Sequence, residues 1–368
     1  MKGLVDATLR EGEQAAYVYF EPKQKLHIID LLTRIGIEEI ELGIAVKNPE
    51  IKELFHQARK QTSARLSLWC RCLPADIDET LALEPDIIAM SVPVSDIHIE
   101  HKLKKSRQWV LETVYKSINY IRRRHNLYIS LGLEDASRAA LEFVKEVCKV
   151  AQEAGANRIR FADTLGVLSP LEMSSIVKEL KACCTLDIGV HTHNDFGMAT
   201  ANAISALQAG ADFVDVTACG LGERAGNAAL EEIVAFLAKR MGRKHYQLSL
   251  LRPLCHYVAD AARVPISPKK PIVGEEIFTC ESGIHIDGLL KCPQTYEPLM
   301  PEELGLKRKF LIGKKAGEKA LVAKLTSLGV KLSAIQLHKV LKEVKITSSS
   351  LNRCLTDEEL LQIVQKAA

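Results

Sequence analysis

The chain has 368 residues, 47% hydrophobic and 26% charged, with a formal net charge of only +3. That length is too great for one small domain and suits one large barrel with an appendage. The near-balance of charge argues against a nucleic-acid or membrane partner.

Short β-rich runs alternate with helical patterns. The runs begin at Gly3 (GLVDA), Glu38 (EEIELG), Arg65 (RLSLWCR), Asp86 (DIIAMSV), Leu127 (LYISLGL), Asn157 (NRIRFAD), Leu186 (LDIGVHTH) and Asp212 (DFVDVTAC). Between them lie stretches such as PKQKLHIIDLLTRIG and LEFVKEVCKVAQEAGA, the second stopping at Gly155, a natural helix end. The phrases RIGIEEIEL, EAGANRIRF and QAGADFVDV repeat one pattern of helix end, glycine and buried strand. Such alternation predicts right-handed βαβ units on a parallel sheet, and eight units predict a closed (β/α)8 TIM barrel. The barrel is expected over residues 1–262, a Pro-rich linker over 263–274 and a small, mainly helical subdomain over 275–368.

The ten cysteines form no disulfide framework. Cys70-x-Cys72 and Cys183-Cys184 are the close pairs, and neither has zinc-ribbon spacing. A reducing compartment follows. The amino terminus lacks a signal-peptide stretch and no run is long enough to span a bilayer, so a cytoplasmic location is expected. Basic clusters at Arg122–Arg124, Lys269-Lys270, Lys307–Lys309 and Lys314-Lys315 read as solvated surface; the sharper reading is contact with the phosphates of a large anionic cosubstrate.

In a barrel of this kind the chemistry gathers at the carboxy-terminal ends of the strands. There the sequence puts Arg10 and Glu11, Glu134 and Asp135, Asp163 and Thr164, His191 to Asp195, and the loop GLGERAGN from Gly220 to Asn227. Strand side chains alternate faces, so His191 and His193 point the same way. Two imidazoles on one face suit a divalent cation with a carboxylate as third ligand. Glu11 is the best third ligand, because strand one neighbours strand eight and lies near strand seven. On its own, Arg10–Glu11 is equally a surface ion pair. Arg10 presents a planar, permanently charged fork suited to a carboxylate or oxyanion. Asn227 is placed to offer an oxygen to or near the metal, and Glu223–Arg224 to brace the loop.

LREGEQ, HTHND and GLGERAGN, in this order on eight βα units, resemble the acyl-CoA-condensing branch of the DRE-TIM metallolyases, which holds isopropylmalate, citramalate and homocitrate synthases. The phrases SVPVSDIHIEHKL, LEDASRAALEFV, RFADTLGV and FTCESGIHIDGLLK are most similar to the nitrogenase-associated homocitrate synthases. The resemblance implies condensation of acetyl-CoA with 2-oxoglutarate, a 2-oxo dicarboxylic acid, then thioester hydrolysis to homocitrate and CoA, in a homodimer. Other acceptors in the same reaction are 2-oxoisovalerate, pyruvate and oxaloacetate. A hydroxymethylglutaryl-CoA-lyase-like activity is disfavoured, because those lyases carry a cysteine within the glycine-rich loop and Cys219 precedes it here.

The family implies that Glu11, His191 and His193, with Asn227 close by, hold a divalent metal such as Mg, Mn or Zn. It gives Arg10 and Glu134 catalytic roles, and makes Arg10, Gln14 and Thr164 substrate-binding. His285 matches the family's carboxy-terminal histidine and is expected to act in a partner subunit's site, with Tyr296 beside it. Three departures stand out. Glu11 replaces the commoner Asp. Ser130 and Gly132 stand where lysine-pathway relatives carry Arg-x-Ser to hold the far carboxylate, a task that then falls to Arg71. Gly189 stands where many relatives have Glu.

Overall fold

The computed structural model describes residues 1–367. Contacts divide the chain into two compact units, Met1–Ile266 and Ser267–Ala368. In the first, eight parallel strands close a barrel in sequence order: β1 (Gly3–Asp6), β2 (Glu39–Ile44), β3 (Arg65–Arg71), β4 (Ile87–Pro93), β5 (Tyr128–Glu134), β6 (Arg158–Asp163), β7 (Asp187–Thr192) and β8 (Phe213–Val216). Closure is made by β1, which pairs with β2 on one side and β8 on the other. Helices follow the strands: α1 (Pro22–Ile35), α2 (Pro49–Gln61), α3 (Pro74–Leu81), α4 (Arg107–Arg122), α5 (Leu141–Ala154), α6 (Pro170–Cys183), α7 (Ala199–Gln208) and α8 (Leu230–Arg240), with α9 (Leu251–Ala262) after them. The expected TIM barrel is therefore present. Among the described residues no helix is long and apolar enough to cross a membrane.

Local chemistry sets these boundaries. Ser169 and Glu172 form a capping box around Pro170 at the start of α6. Gly155 ends α5 at φ 97, a conformation that costs a glycine little. The strand expected to run to Cys219 stops at Val216 instead. There Cys219 turns to φ 62 and gives its N–H to the Glu231 carboxylate rather than to a ladder.

Barrel interiors are usually filled by layers of branched apolar side chains. Here one layer is charged. Arg158 lies fully buried with a bidentate grip on Glu39, its Nη1 and Nη2 at 2.9 and 2.8 Å, and its Nε donates to Ser130 Oγ at 2.9 Å. The Phe213 ring lies 4.6 Å from its guanidinium carbon. A Cβ at Gly189 would come within 3.3 Å of Arg158 Cδ, so the glycine in β7 leaves the room that the arginine occupies.

The second unit is mainly helical. It holds α10 (Gly283–Lys291), α11 (Glu318–Ser327), α12 (Ala334–Leu351), α13 (Asp357–Ala367) and a two-stranded parallel sheet, β9 (Thr279–Cys280) with β10 (Lys309–Phe310). Ile286, Leu321, Val340, Val344 and Leu360 belong to its own apolar core. Lys315 Nζ lies 3.4 Å from Glu281 in this unit.

Removing one member of a buried ion pair strands the other. Glu39→Gln is expected to cost about 3–5 kcal/mol in urea unfolding, while replacing both Glu39 and Arg158 by Leu and Met should recover most of that loss.

Candidate active site

Glu41 and Arg160 build the layer above. Each follows its neighbour Glu39 or Arg158 by two residues and so faces inward. Arg160 Nη1 contacts Glu41 at 3.0 Å and Asp215 of β8 at 3.2 Å. Arg10, just after β1, sets its Nε 2.5 Å from the other Glu41 oxygen and pairs through Nη1 with Glu11. Burial would raise the Glu41 pKa, but Arg10 and Arg160 overcome it and hold it below the ordinary carboxylate range. Asp215 is likewise held low against burial, by Arg160 and His191.

Asp215 orients the first imidazole. Its Oδ2 lies 2.9 Å from His191 Nδ1, which fixes that nitrogen as the N–H and leaves Nε2 with a lone pair. His191 Nε2 and His193 Nε2 face one another at 3.1 Å, and Glu11 Oε1 stands 3.9 and 3.7 Å from them. Burial and the neighbouring His191 push the His193 pKa down to about 3, so its ring is neutral at any ordinary pH.

These residues fit a divalent metal. Two nitrogens about 2.1 Å from one cation lie roughly 3.0 Å apart at right angles and about 3.4 Å apart in a tetrahedron, which brackets the observed spacing. Among the described residues His193 Nδ1, Asn227 Oδ1 and Arg10 Nη2 are buried without a partner. Asn227 forms a β-bridge with His193 and spends its amide N–H on Leu221 O, so its oxygen remains available. Two imidazoles and a carboxylate suit zinc or manganese, whereas magnesium favours more oxygen.

One cavity of about 290 Å³ gathers Arg10, Glu11, Gln14, Glu134, Thr164, His191 and His193. Thr164 Oγ1 accepts the Asp135 N–H at 2.8 Å, which leaves its own proton to donate into the cavity. Arg224 braces the glycine-rich loop against Asp195 at 2.8 Å and against Thr164 O at 2.6 Å. A side chain at Gly222 would overlap the Asn227 amide.

Arg71 is a correction. Asp76, at the start of α3, holds its Nε and Nη2 at 2.6 and 3.1 Å, and the side chain is 62% exposed. It forms no part of the cavity wall, so it is not placed to hold an acceptor carboxylate. His285 and Tyr296 lie in the second unit, their rings packed 4.3 Å apart. Sequence reasoning missed Glu41, Arg160 and Asp215 below the site, and Trp69, Ser91 and Lys102 in its wall. The doublets Glu39/Glu41 and Arg158/Arg160, two residues apart in opposing strands, were the available signal.

Comparison with known proteins accords with this geometry. Residues 3–258 match the HMGL-like family, and residues 272–351 match the homocitrate synthase post-HMGL domain-like family. The chain is 42% identical to 2-isopropylmalate synthase 2 of Caldanaerobacter subterraneus subsp. tengcongensis, over 98% of this chain and 94% of that one. It is 40% identical to homocitrate synthase 1 of Nostoc sp., over 98% and 96%. The barrel superposes on the HMG-CoA lyase of Bacillus subtilis with a TM-score of 0.63 at 22% identity, over 72% of this chain and 95% of that one. The chain belongs to the HMGL-like family, in the group of isopropylmalate, homocitrate and citramalate synthases. It is an acyl-CoA-condensing synthase that joins acetyl-CoA to a 2-oxo acid.

His193→Ala should lose bound metal and CoA release together; a fully active variant would remove the metal assignment. Asp215→Asn, which weakens both the orientation of His191 and the pairing with Arg160, should lower metal affinity by roughly 10- to 100-fold in chelator competition.

Proposed function

We propose that the acceptor is a 2-oxo dicarboxylic acid, 2-oxoglutarate, and the product homocitrate. The observation that carries this reading is Lys102. It stands on the one-turn π-helix His98–Leu103 after β4 and reaches into the cavity, with Nζ 2.6 Å from Glu134 Oε1. Glu134 ends β5, on the opposite side of the barrel from β1 and Glu11. An acceptor whose keto acid end lies at Glu11, His191 and His193 therefore extends its far end toward Lys102. A second carboxylate is the natural partner for that ammonium.

When bound, a divalent metal held by Glu11, His191 and His193 supplies Lewis acidity to the keto group. The chain's own groups do the rest. Thr164 donates its hydroxyl to the near carboxylate. Arg10 lines the cavity and keeps Nη2 unpaired; this donor meets the keto oxygen as negative charge grows on it. Engagement of Lys102 by the far carboxylate releases Glu134 to face the acetyl group. A general base takes a proton from the acetyl methyl, the methyl carbon bonds to the keto carbon as the carbonyl π bond opens, and the resulting alkoxide takes up a proton to end as a hydroxyl. Water then cleaves the thioester and frees CoA.

The competing acceptor is 2-oxoisovalerate, for which Trp69 and Ala162 offer apolar wall. A CoA-release assay over 2-oxoglutarate, 2-oxoisovalerate, pyruvate and oxaloacetate separates the two. Preference for 2-oxoglutarate is expected, and preference for 2-oxoisovalerate would sink this reading. Lys102→Met should raise KM for 2-oxoglutarate by roughly 10- to 100-fold, the worth of one charge-assisted hydrogen bond. An unchanged KM would show that the far carboxylate is held elsewhere.

His285, with Tyr296 packed on it, is proposed to serve proton transfer in the site of a partner subunit within a homodimer. His285→Ala should lower kcat by about 100-fold or more while KM for the 2-oxo acid changes little. An unaltered rate would remove that role.

A further inference from the structure

Cys148, Cys183 and Cys184 form a cluster that the condensing reaction does not use. Cys148 lies in α5, Cys183 ends α6, and Cys184 follows where the chain turns toward β7. Their three sulfurs all lie within 4.8 Å of one another. Cys148 is fully buried and Cys184 nearly so, whereas Cys183 is partly open, so the cluster is walled on one side and reachable on the other. All three are free thiols. The sequence showed only the vicinal pair, because Cys148 joins it from another helix.

The Cys183 and Cys184 thiols both donate to one carbonyl, Leu180 O, at 3.2 and 3.5 Å. A thiol binds a metal as the thiolate, so each of the three sulfurs gives up its proton as it ligates.

Three sulfurs about 2.3 Å from a shared cation stand roughly 3.8–4.0 Å apart. The cluster reaches that spacing with a contraction of less than about 1 Å, within the range of rotamer adjustment. An all-sulfur set selects soft d10 cations over magnesium or calcium. We propose that Cys148, Cys183 and Cys184 hold a soft thiophilic cation of the zinc and cadmium class, with water completing the coordination on the open side of Cys183. The site ties α5 to the turn between α6 and β7. That turn enters the amino-terminal end of β7, whereas His193 follows its carboxy-terminal end. The role is therefore structural and separate from the condensing site. Binding replaces the thiol protons by metal–sulfur bonds, so protons are released on loading.

Cadmium is the probe. The full chain, reduced with a phosphine and freed of metal, is titrated with cadmium while the ultraviolet thiolate-to-cadmium charge-transfer band is followed. Glu11, His191 and His193 contribute no sulfur, so cadmium there is silent in this band. A saturable band is expected. It should be lost in Cys183→Ser, whose partly exposed position spares the fold, and in Cys148→Ser. It should persist in His193→Ala and in Cys255→Ser, which alters the separate grouping of Cys219, Glu231 and Cys255. Absence of the band in the folded wild-type chain would overturn the proposal. So would a band that survives Cys183→Ser or is lost instead in Cys255→Ser.

Discussion

The buried bridge from Glu41 through Arg160 to Asp215 is the constraint on which the site depends. It links three strands, β2, β6 and β8, across the interior of the barrel. Each end then meets a functional side chain: Glu41 grips Arg10, and Asp215 grips His191. A charge buried without a partner costs several kcal/mol, so these groups hold one another in a single arrangement. The barrel gives up apolar packing in this layer and gains orientation. The tautomer of His191 and the direction of the Arg10 fork are both fixed before any substrate arrives, the condition under which aimed charges act most strongly on a reaction.

The same layering accounts for two departures from the family pattern. Gly189 lacks a side chain where Arg158 lies, and the carboxylate that partners Arg158 comes from Glu39 on β2. Ser130, standing where relatives place an arginine, accepts a hydrogen bond from Arg158 Nε and so belongs to the floor. Gly132 leaves open the part of the cavity beside Ser91, since a Cβ there would sit 3.3 Å from Ser91 Oγ. The lysine of the cavity wall, Lys102, comes from a loop and not from β5.

What the sequence made legible followed from local rules. Alternation of side chains set His191 beside His193, and helix-ending glycines marked where strands begin. The tendency of barrel chemistry to gather after the strands brought Arg10, Glu11, Glu134 and Thr164 into view. What escaped depends on register around a closed sheet. That Asp215 stands beside Val5, and Val5 beside Glu39, is a property of closure, not of any window of sequence. The pairing of Arg71 likewise depends on the fold: α3 supplies Asp76 just beyond the strand end and holds the guanidinium outside the cavity wall. Lys102 sits on a single π turn in a loop, where no periodic pattern announces a side chain's direction.

The longer acid at position 11 has a physical account in this network. Glu11 must serve two partners: Oε2 pairs with Arg10, and Oε1 faces the two imidazoles at 3.7 and 3.9 Å. Arg10 cannot move to meet it, because Glu41 fixes its Nε from below. An aspartate on the same backbone would withdraw the carboxylate by about 1.5 Å, one carbon–carbon bond. It would then have to abandon either the guanidinium or the imidazole pair. The length of the acid at position 11 is thus matched to where β2 holds Arg10, and Glu41, remote from any substrate, helps to decide the shape of the donor set.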